Sequence, residues 1–341
     1  MTFILSVAVS QPSKFQLIFV VSAMLLAAWL PSVDQSWADE AKPFGLAKRE
    51  IWENSRLIGT PEPPPPFRAV PAYTNQVWRS PMFIAAEPQS SRLFALLHHG
   101  GGKPTQLVAF EDRPETKERE VLLDLPGRNV YSFCFDPNYA DNGHLYLFSN
   151  LNLEAFDGQK ANRISRVTLP RGSSEIDLAS EHSIIEWRSG GHDGGGIAFG
   201  LDGMLYISTG DGTSDSDNWV SGQTLDDLLG GVLRIDISET SEDEPYRIPA
   251  DNPFINLHDA RGELYAYGLR NPWRLAVDAL TGHVWVGNNG QDLWETVHLV
   301  RAGENYGWSV YEGSHPFYHC LLYTSDAADD MQCVDLGGRR I

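Results

Sequence analysis

The sequence predicts an all-β fold, because its apolar residues alternate along short segments that end at glycine turns. Glycine and tryptophan are frequent, with 31 and 10 residues among 341, as expected for many short strands joined by tight turns. A helical period is visible only weakly, between Thr224 and Leu229. The hydrophobic share of 42% and the charged share of 21% are those of an ordinary globular protein.

Three β-hairpins share one plan, in which two alternating strands meet at a glycine turn and a further strand follows. The hairpins and their following strands cover residues 133–148 and 164–169, 197–208 and 232–237, and 275–286 and 296–300. A recurring unit of a few antiparallel strands, lengthened by insertions, is typical of a β-propeller. A single blade cannot bury both of its faces, so we expect the blades to stack around an axis.

The first 75 residues are predicted to lie outside the sheets. Lys14 is followed by an apolar run over residues 15–30 and by a small-residue cleavage site ending at Ala38, which is the pattern of a signal peptide at 1–38. A membrane anchor is the alternative, although the run is short for a full span. Residues 39–75 are polar and then proline-rich, which predicts an extended arm. We therefore expect a secreted or periplasmic protein with no membrane segment in the mature chain.

Charge and cysteine content exclude several function classes. A net charge of −19 argues against attraction to nucleic acid or anionic lipid. Cys134 lies in an apolar strand and is interpreted as a buried small hydrophobe. Cys320 and Cys333 lie in a segment without a strand pattern. The three cysteines therefore predict neither a disulfide framework nor a zinc or haem motif.

Polar residues are concentrated at the open end of the third hairpin. Arg270 and Asn271 precede it, and Gly290 and Gln291 follow it. Because an antiparallel hairpin brings its two ends together, these groups converge at one rim and predict a binding site. For each residue taken alone, a simple role in forming a turn is the alternative.

The second hairpin is flanked in the same way by His192, within a glycine-rich segment, and by Asp211. An imidazole oriented by a carboxylate is a competent general base near neutral pH. We expect the glycines beside His192 to leave room for a ligand; a surface histidine in a flexible loop is the alternative. The acidic run 211–217 lacks the glycine and the glutamate of an EF-hand, so we interpret it as solvated or loosely cation-binding.

Taken together, these segments resemble the glucose/sorbosone dehydrogenase family, the soluble quinoprotein sugar dehydrogenases. The matching segments are 192–200, 202–203, 206–212, 229–236, 268–272 and 290–308. The resemblance covers roughly residues 78–315 and implies a six-bladed β-propeller of four-stranded antiparallel blades, of which roughly four are present here.

The resemblance also implies a cofactor, pyrroloquinoline quinone, lying across the top face of the propeller. His192 resembles the base that takes the hydroxyl proton of a sugar while hydride passes to the quinone, and Asp211 resembles its carboxylate partner. Arg270 and Asn271 match the residues that hold the cofactor. An arginine at a quinone oxygen would also stabilise the negative charge that grows during reduction, so Arg270 is counted with His192 and Asp211 as catalytic.

Calcium is implied in the same way. The backbone carbonyls of Gly290 and Gln291 match the pair that contacts the calcium of the cofactor. Glu295 and Tyr306 match ligands of a second, structural calcium, and oxygen-only ligation fits that ion.

The sequence departs from the family pattern in several places. Residues 127–132 stand where the family has a stretch containing glutamine or glutamate, and Gly231 replaces a family lysine, which leaves the identity of the sugar open. The resemblance stops near Tyr318. We expect an incomplete, C-terminally truncated propeller over residues 76–318 and a tail of non-native appearance over 319–341.

The first functional prediction is a secreted quinoprotein dehydrogenase. It would oxidise a sugar or related polyol and pass electrons to a periplasmic acceptor such as a cytochrome c. The alternative is a non-catalytic propeller of the same family that serves as a binding module. Retention of His192 with Arg270 favours the enzyme, and the altered segment 127–132 favours the binding module. A propeller lactonase is a third reading, without the carboxylate set that its catalytic metal would need.

Overall fold

The computed structural model describes residues 70–317, except for residues 99–103, 157–158, 171 and 242. The predicted signal peptide, most of the arm and the C-terminal tail lie outside the described residues. Within the described part, no helix has the length and the apolar character that crossing a membrane requires.

The strands fall into four sheets and one small ribbon. The first sheet contains β1 (Pro81–Ala86), β2 (Arg92–His98), β3 (Thr105–Glu111) and β4 (Glu120–Leu125). The second contains β5 (Arg128–Phe135), β6 (His144–Phe156), β7 (Gln159–Thr168) and β8 (Asp177–Ser189), with the short helix α1 (Tyr139–Asn142) between its first two strands. The third contains β9 (Ile197–Phe199), β10 (Leu205–Thr209), β11 (Gly231–Ile235) and β12 (Leu264–Tyr267). The fourth contains β13 (Asn271–Val277), β14 (Val284–Asn289) and β15 (Glu295–Val300), and the ribbon pairs β16 (Tyr311–Glu312) with β17 (His315–Pro316).

Each sheet is a meander in which every strand pairs antiparallel with the next one along the chain. The four sheets are the blades of a propeller and are called blades 1 to 4 in chain order. The prediction of an all-β propeller with about four blades in this chain is confirmed. Blade 4 has three strands within the described residues, one fewer than the predicted four.

The three predicted hairpins are β5–β6, β9–β10 and β13–β14. Their turns use glycines at positive φ, with 66° at Gly143, 78° at Gly203 and 73° at Gly282, a backbone region that disfavours other residues. The weak helical period at 224–229 forms no helix; that segment is an irregular, bent stretch in which Leu228 and Leu229 are buried. The tertiary burial of two leucines, and not helix formation, explains that pattern.

The core lies between neighbouring blades, which explains why the strands of a blade carry apolar side chains on both faces. One cluster joins blades 1 and 2, a second joins blades 2 and 3, and a third joins blades 3 and 4. Representative fully buried side chains of these three clusters are Phe94 with Phe133, Phe148 with Ile207, and Val232 with Val286. The first strands of successive blades are also in contact, so the blades stack as the repeat predicts.

A buried carboxylate links blade 1 to helix α1 of blade 2. Glu87 accepts hydrogen bonds from Arg92 Nε (2.9 Å), Arg92 Nη2 (3.0 Å) and the Tyr139 hydroxyl (3.0 Å). Burial acts to raise the pKa of Glu87, but the hydrogen bonds and charge of Arg92 outweigh it and hold the pKa below its ordinary value. The ionised Glu87 therefore stabilises the joint between the two blades.

We expect Glu87→Gln to destabilise the protein by about 3 kcal/mol at neutral pH, because Arg92 keeps its charge in a site that has lost its partner. Since the pKa is lowered by folding, this contribution is present above the ordinary carboxyl pKa of about 4.3 and is lost as pH falls through the lower folded value. Urea unfolding across this pH range measures the difference. Glu120→Gln is the matched control. The Glu120 side chain is 59% exposed, and its carboxylate makes a longer contact, 3.5 Å, with the same arginine. Equal costs for the two variants would contradict the prediction.

Candidate active site

The loops that carry the predicted site residues meet at one rim of blades 3 and 4. His192 lies between β8 and β9, Asp211 follows β10, Arg270 precedes β13, and Gly290 and Gln291 follow β14. The loops are joined through their backbones, since the N–H of Asp211 donates to the carbonyl of Arg270 at 2.8 Å. The structure thus brings these five residues together.

His192 and Asp211 form a direct pair. Nδ1 of His192 lies 2.8 Å from Oδ1 of Asp211, and the carboxylate is fully buried while the imidazole is 14% exposed. The carboxylate can only accept at Nδ1, so that nitrogen carries a proton, and in the neutral imidazole Nε2 is then the acceptor. Nε2 makes no hydrogen bond to any described residue, and it is the nitrogen available to a ligand.

The carboxylate of Asp211 is held on both oxygens. Oδ1 also accepts from the backbone N–H of Thr213 at 3.0 Å and from its hydroxyl at 3.3 Å. Oδ2 accepts from the indole N–H of Trp308 at 2.8 Å. A buried carboxylate with this many donors is fixed in orientation, and it fixes the imidazole in turn.

Arg270 is 9% exposed and packs beside this pair. Its Nη1 donates to the Gly290 carbonyl at 2.6 Å, and its Nε lies 3.4 Å from Oε1 of Gln291. Burial lowers the pKa of Arg270, and the negative charges of Asp211 and Glu312 oppose that effect. The guanidinium remains charged. Within the described part of the chain its Nη2 makes no hydrogen bond, so this nitrogen keeps an unused donor.

Asn271 attaches the start of β13 to the His192 loop. Its Oδ1 accepts from the backbone N–H of Gly194 at 3.1 Å, and its own N–H donates to Oδ1 of Asn288 at 3.0 Å. The side-chain Nδ2 has no hydrogen-bond partner among the described residues. Asn271 therefore has a structural task on its oxygen and a donor left for a ligand on its nitrogen.

The glycines around His192 serve backbone packing, which corrects the expectation that they leave room for a ligand. The N–H of His192 donates to the Thr213 carbonyl at 2.8 Å. A Cβ on Gly210 would lie 2.4 Å from the His192 carbonyl oxygen, and one on Gly194 would lie 2.3 Å from that of Ser208. No side chain fits at such distances, so the glycines let the two loops approach each other.

A comparison of Gly194→Ala with Gly203→Ala separates this packing role from the cost of a positive φ alone. Gly203 has the same φ of +78°, but a Cβ there would meet no atom within 4 Å, so Gly203→Ala should cost only about 1 kcal/mol for its backbone conformation. Gly194→Ala should cost about 3 kcal/mol or more, because the Ser208 carbonyl must also move. Urea unfolding of both variants tests this, and equal losses would show that the close approach is relieved at little cost.

The acidic run 211–217 is not uniformly solvated, which corrects its interpretation from the sequence. Asp217 is fully buried and accepts from the backbone N–H of Ser221 at 2.9 Å. Asp215 is exposed, and its Oδ1 accepts from Nε2 of Gln291. The run is a folded loop that attaches to the Gly290 loop through the Gln291 side chain.

Glu312 is a buried site residue that the sequence did not reveal. One oxygen, Oε1, accepts from the backbone N–H groups of residues 291, 292, 293 and 294 at 2.6, 2.9, 2.9 and 3.2 Å. A Cβ on Gly290 would lie 2.4 Å from the same oxygen. Glu312 therefore shapes the loop that presents the Gly290 carbonyl to Arg270. Its only sequence signal is a glutamate in a turn-rich segment, which points to no contact.

Tyr131 and Asp193 form a second buried cluster beside His192. Asp193 accepts from the Tyr131 hydroxyl at 2.8 Å, from Nδ2 of Asn162 at 2.9 Å and from the Ser189 hydroxyl. Burial raises the pKa of Tyr131 far above its ordinary value. Tyr131 belongs to the segment 127–132 that departs from the family pattern, and this cluster is what that segment builds here.

Glu295 and Tyr306, the two residues predicted to bind a structural calcium, each make hydrogen bonds within the protein. The Glu295 carboxylate accepts from Nδ2 of Asn289 at 2.8 Å. The Tyr306 hydroxyl donates to the Leu299 carbonyl at 2.9 Å, and its ring packs on His298. Among the described residues, no group of three or more histidine, cysteine or acidic side chains is placed to hold a metal.

The architecture and the rim define a class, a β-propeller with a histidine–carboxylate pair and a buried arginine at the ends of two blades. The model of the glucose/sorbosone dehydrogenase family matches residues 130–332. The chain belongs to this family, and the resemblance seen in the sequence is confirmed.

Three curated relatives are similar over part of their length. The HIPL1 protein of Arabidopsis thaliana is 38% identical over 137 residues, 37% of this chain and 20% of that protein. The human Hedgehog-interacting protein is 36% identical over 157 residues, 44% of this chain and 22% of that protein. The aldose sugar dehydrogenase YliI of Escherichia coli is 33% identical over 122 residues, 36% of this chain and 30% of that protein. The chain thus spans less than a third of the length of each.

Among solved structures, the PQQ-bound form of an aldose sugar dehydrogenase from Streptomyces coelicolor has a TM-score of 0.54 at 24% identity, covering 71% of this chain and 67% of that one. This likeness supports the propeller fold. With the family match, it makes this chain a propeller of the dehydrogenase type.

Proposed function

We propose that the protein is a secreted or periplasmic quinoprotein dehydrogenase that oxidises a sugar or related polyol with pyrroloquinoline quinone and calcium. The observation that carries this proposal is the arrangement of unused groups at the rim. His192 Nε2 and Arg270 Nη2 are both without hydrogen-bond partners in the described part of the chain, while the rest of each side chain is held. One is a proton acceptor, and the other is a cationic donor.

His192 is suited to take the proton of a sugar hydroxyl. Its Nδ1 proton is directed to Asp211 at 2.8 Å, and the negative carboxylate stabilises the imidazolium that forms when Nε2 accepts a proton. The burial of Asp211 strengthens that interaction, because less water screens it. The same pair in a binding module would have no evident use for a free, basic Nε2.

Arg270 and Asn271 are suited to hold an anionic, oxygen-rich cofactor. Arg270 Nη2 is a charged donor with no partner among the described residues, and Asn271 Nδ2 is a neutral one. A quinone bound there would accept the hydride that leaves the sugar carbon. Arg270 would place fixed positive charge where the quinone oxygen becomes negative. The residues present therefore fit the organic cofactor.

The calcium part of the proposal rests on the loop after β14. The carbonyl of Gly290 already accepts from Arg270 at 2.6 Å, but a carbonyl oxygen has two lone pairs and keeps one for an ion. Glu312 fixes this loop through four backbone N–H groups. We propose the Gly290 and Gln291 carbonyls as the contacts to a calcium bound with the cofactor, and Glu295 and Tyr306 as ligands of a second, structural calcium.

A titration with pyrroloquinoline quinone tests cofactor binding directly. The protein should bind one equivalent in the presence of calcium, and chelation of calcium should weaken that binding. Absorbance of the bound quinone and equilibrium dialysis both measure it. A protein that takes up no quinone with or without calcium would contradict the proposal.

The second candidate is a non-catalytic binding module of the same family. The cluster of Tyr131 and Asp193 favours it. Tyr131 belongs to the segment 127–132 that departs from the family pattern, and its hydroxyl is occupied by a hydrogen bond to Asp193 within the protein, while Asp193 also accepts from Asn162. A relative named for its interaction with hedgehog, and not for a reaction, is 36% identical over its matched part. A fully loaded protein that reduces no quinone with any sugar would favour this candidate.

A further inference from the structure

Trp308 lies behind the histidine–carboxylate pair, in the loop between blade 4 and the β16–β17 ribbon. Its indole N–H donates to Oδ2 of Asp211 at 2.8 Å, across 97 positions of sequence. This is the one hydrogen bond that Oδ2 makes within the described part of the chain. Oδ1, by contrast, serves His192 and Thr213. The indole therefore decides how the carboxylate plane is turned.

The indole is itself held on several sides. The backbone N–H of Trp308 donates to the Gly268 carbonyl at 3.0 Å, and its carbonyl accepts from the side chain of Gln223. The ring packs against Phe317 with centroids 4.5 Å apart. The Arg270 guanidinium lies 5.6 Å from the ring centroid, within reach of a cation–π contact. A donor anchored in this way directs its N–H to one place.

We propose that Trp308 is a positioning residue that acts on His192 through Asp211 and at the same time packs against Arg270. A carboxylate held at one oxygen alone can rotate about its Cβ–Cγ bond, which changes the lone pair offered to His192 Nδ1. With Trp308 at Oδ2, the rotation is stopped, and the imidazole keeps the tautomer that frees Nε2. This inference rests on the proposed function, in which His192 is the base.

The first test needs no cofactor and no turnover. Nitrogen chemical shifts of isotopically labelled histidine report which ring nitrogen carries the proton, and His192→Gln assigns the His192 signals. We expect a protonated Nδ1 and an unprotonated Nε2 in the wild type. In Trp308→Phe the chemical shifts of the two ring nitrogens should move towards a common average, because the Asp211 carboxylate has lost the hydrogen bond that fixes its orientation.

Two further variants make this test specific. Trp219→Phe is the matched control, because Trp219 packs beside Gly190 and Gly212 at the same rim but its ring contacts the Arg188 guanidinium; it should leave the His192 signals unchanged. A tryptophan analogue at position 308 with sulfur in place of the N–H keeps the ring and its packing. It should reproduce the shift even if Trp308→Phe is unstable. Unchanged His192 signals in the analogue would overturn the proposal.

The second test uses the loaded protein. Trp308→Phe should slow single-turnover quinone reduction by about tenfold, the loss expected for one hydrogen bond to a charged group. In the His192→Gln background the same change should cause no further loss, because Trp308 acts through the histidine. An equal loss in both backgrounds would assign Trp308 a structural role and overturn the proposal. If the His192 signals shift in Trp308→Phe but the loaded wild type reduces no quinone, the positioning role stays intact and the proposed function is rejected.

Discussion

In a cofactor-loaded protein, His192→Gln is expected to slow sugar-dependent quinone reduction by about 10²–10⁴-fold, the usual contribution of a general base. Glutamine keeps the size of the side chain and some hydrogen bonding, but it cannot take a proton. Cofactor affinity should change little, because the proposed holding groups are on Arg270 and Asn271. Asp211→Asn should give an intermediate loss, since it removes the charge that makes Nε2 basic and leaves the imidazole in place.

Single-turnover kinetics and a parallel measurement of cofactor affinity check this prediction. His283→Gln is the matched control, because His283 is exposed at the opposite end of the β13–β14 hairpin and should change neither quantity. A wild-type rate in His192→Gln would remove His192 from the chemistry.

Arg270→Ala should have the opposite signature and weaken cofactor binding first, by about a hundredfold. It removes a guanidinium nitrogen that has no hydrogen-bond partner among the described residues, and hydrogen bonds to charged groups contribute about 1.5–3 kcal/mol each. It also frees the Gly290 carbonyl, which accepts from Arg270 at 2.6 Å. Arg270→Lys should recover part of the affinity, because it restores the charge without the fork of donors.

Equilibrium dialysis with pyrroloquinoline quinone and calcium measures these affinities. Arg247→Ala is the control, because its guanidinium is 43% exposed and pairs with Asp236 and Glu239 on another loop. If Arg270→Ala binds the quinone as tightly as the wild type, the cofactor is held elsewhere.

Much of the architecture could be predicted from the sequence because it depends on local order. Alternation with period two and a glycine at each turn locate the three hairpins, and pairing of β13 with β14 necessarily brings Arg270 near Gly290. The His192–Asp211 pair follows in the same way, since the two residues flank the short β9–β10 hairpin. The alternation of apolar residues can therefore locate residues that flank a single hairpin.

The contacts that complete the site join residues that are far apart along the chain, and no local sequence pattern predicts them. Trp308 reaches Asp211 across 97 residues, and Tyr131 reaches Asp193 across 62. Glu312 is recognisable only when four backbone N–H groups are seen to converge on its oxygen. Such contacts depend on how blades stack, which no periodicity encodes.

The corrections have the same origin. Glycine beside His192 suggests open space when the sequence is considered alone, but atoms of a second segment would lie 2.8 Å from a Cβ on Gly191 and 2.3 Å from one on Gly194. Acidic residues at 211–217 suggest solvation, yet Asp217 is buried against backbone N–H groups. Glycine can provide either open space or close backbone packing, and an acidic side chain can be either solvated or buried against donors. In both cases the partner that decides between the two lies on a segment that the local sequence does not identify.

The most direct test of the central claim is a single turnover of the wild type, loaded with pyrroloquinoline quinone and calcium and mixed with a panel of aldoses and polyols. At least one of them should reduce the bound quinone, and His192→Gln, equally loaded, should do so about 10²–10⁴-fold more slowly. A loaded wild type that reduces no quinone with any member of the panel would contradict the account and favour a binding module.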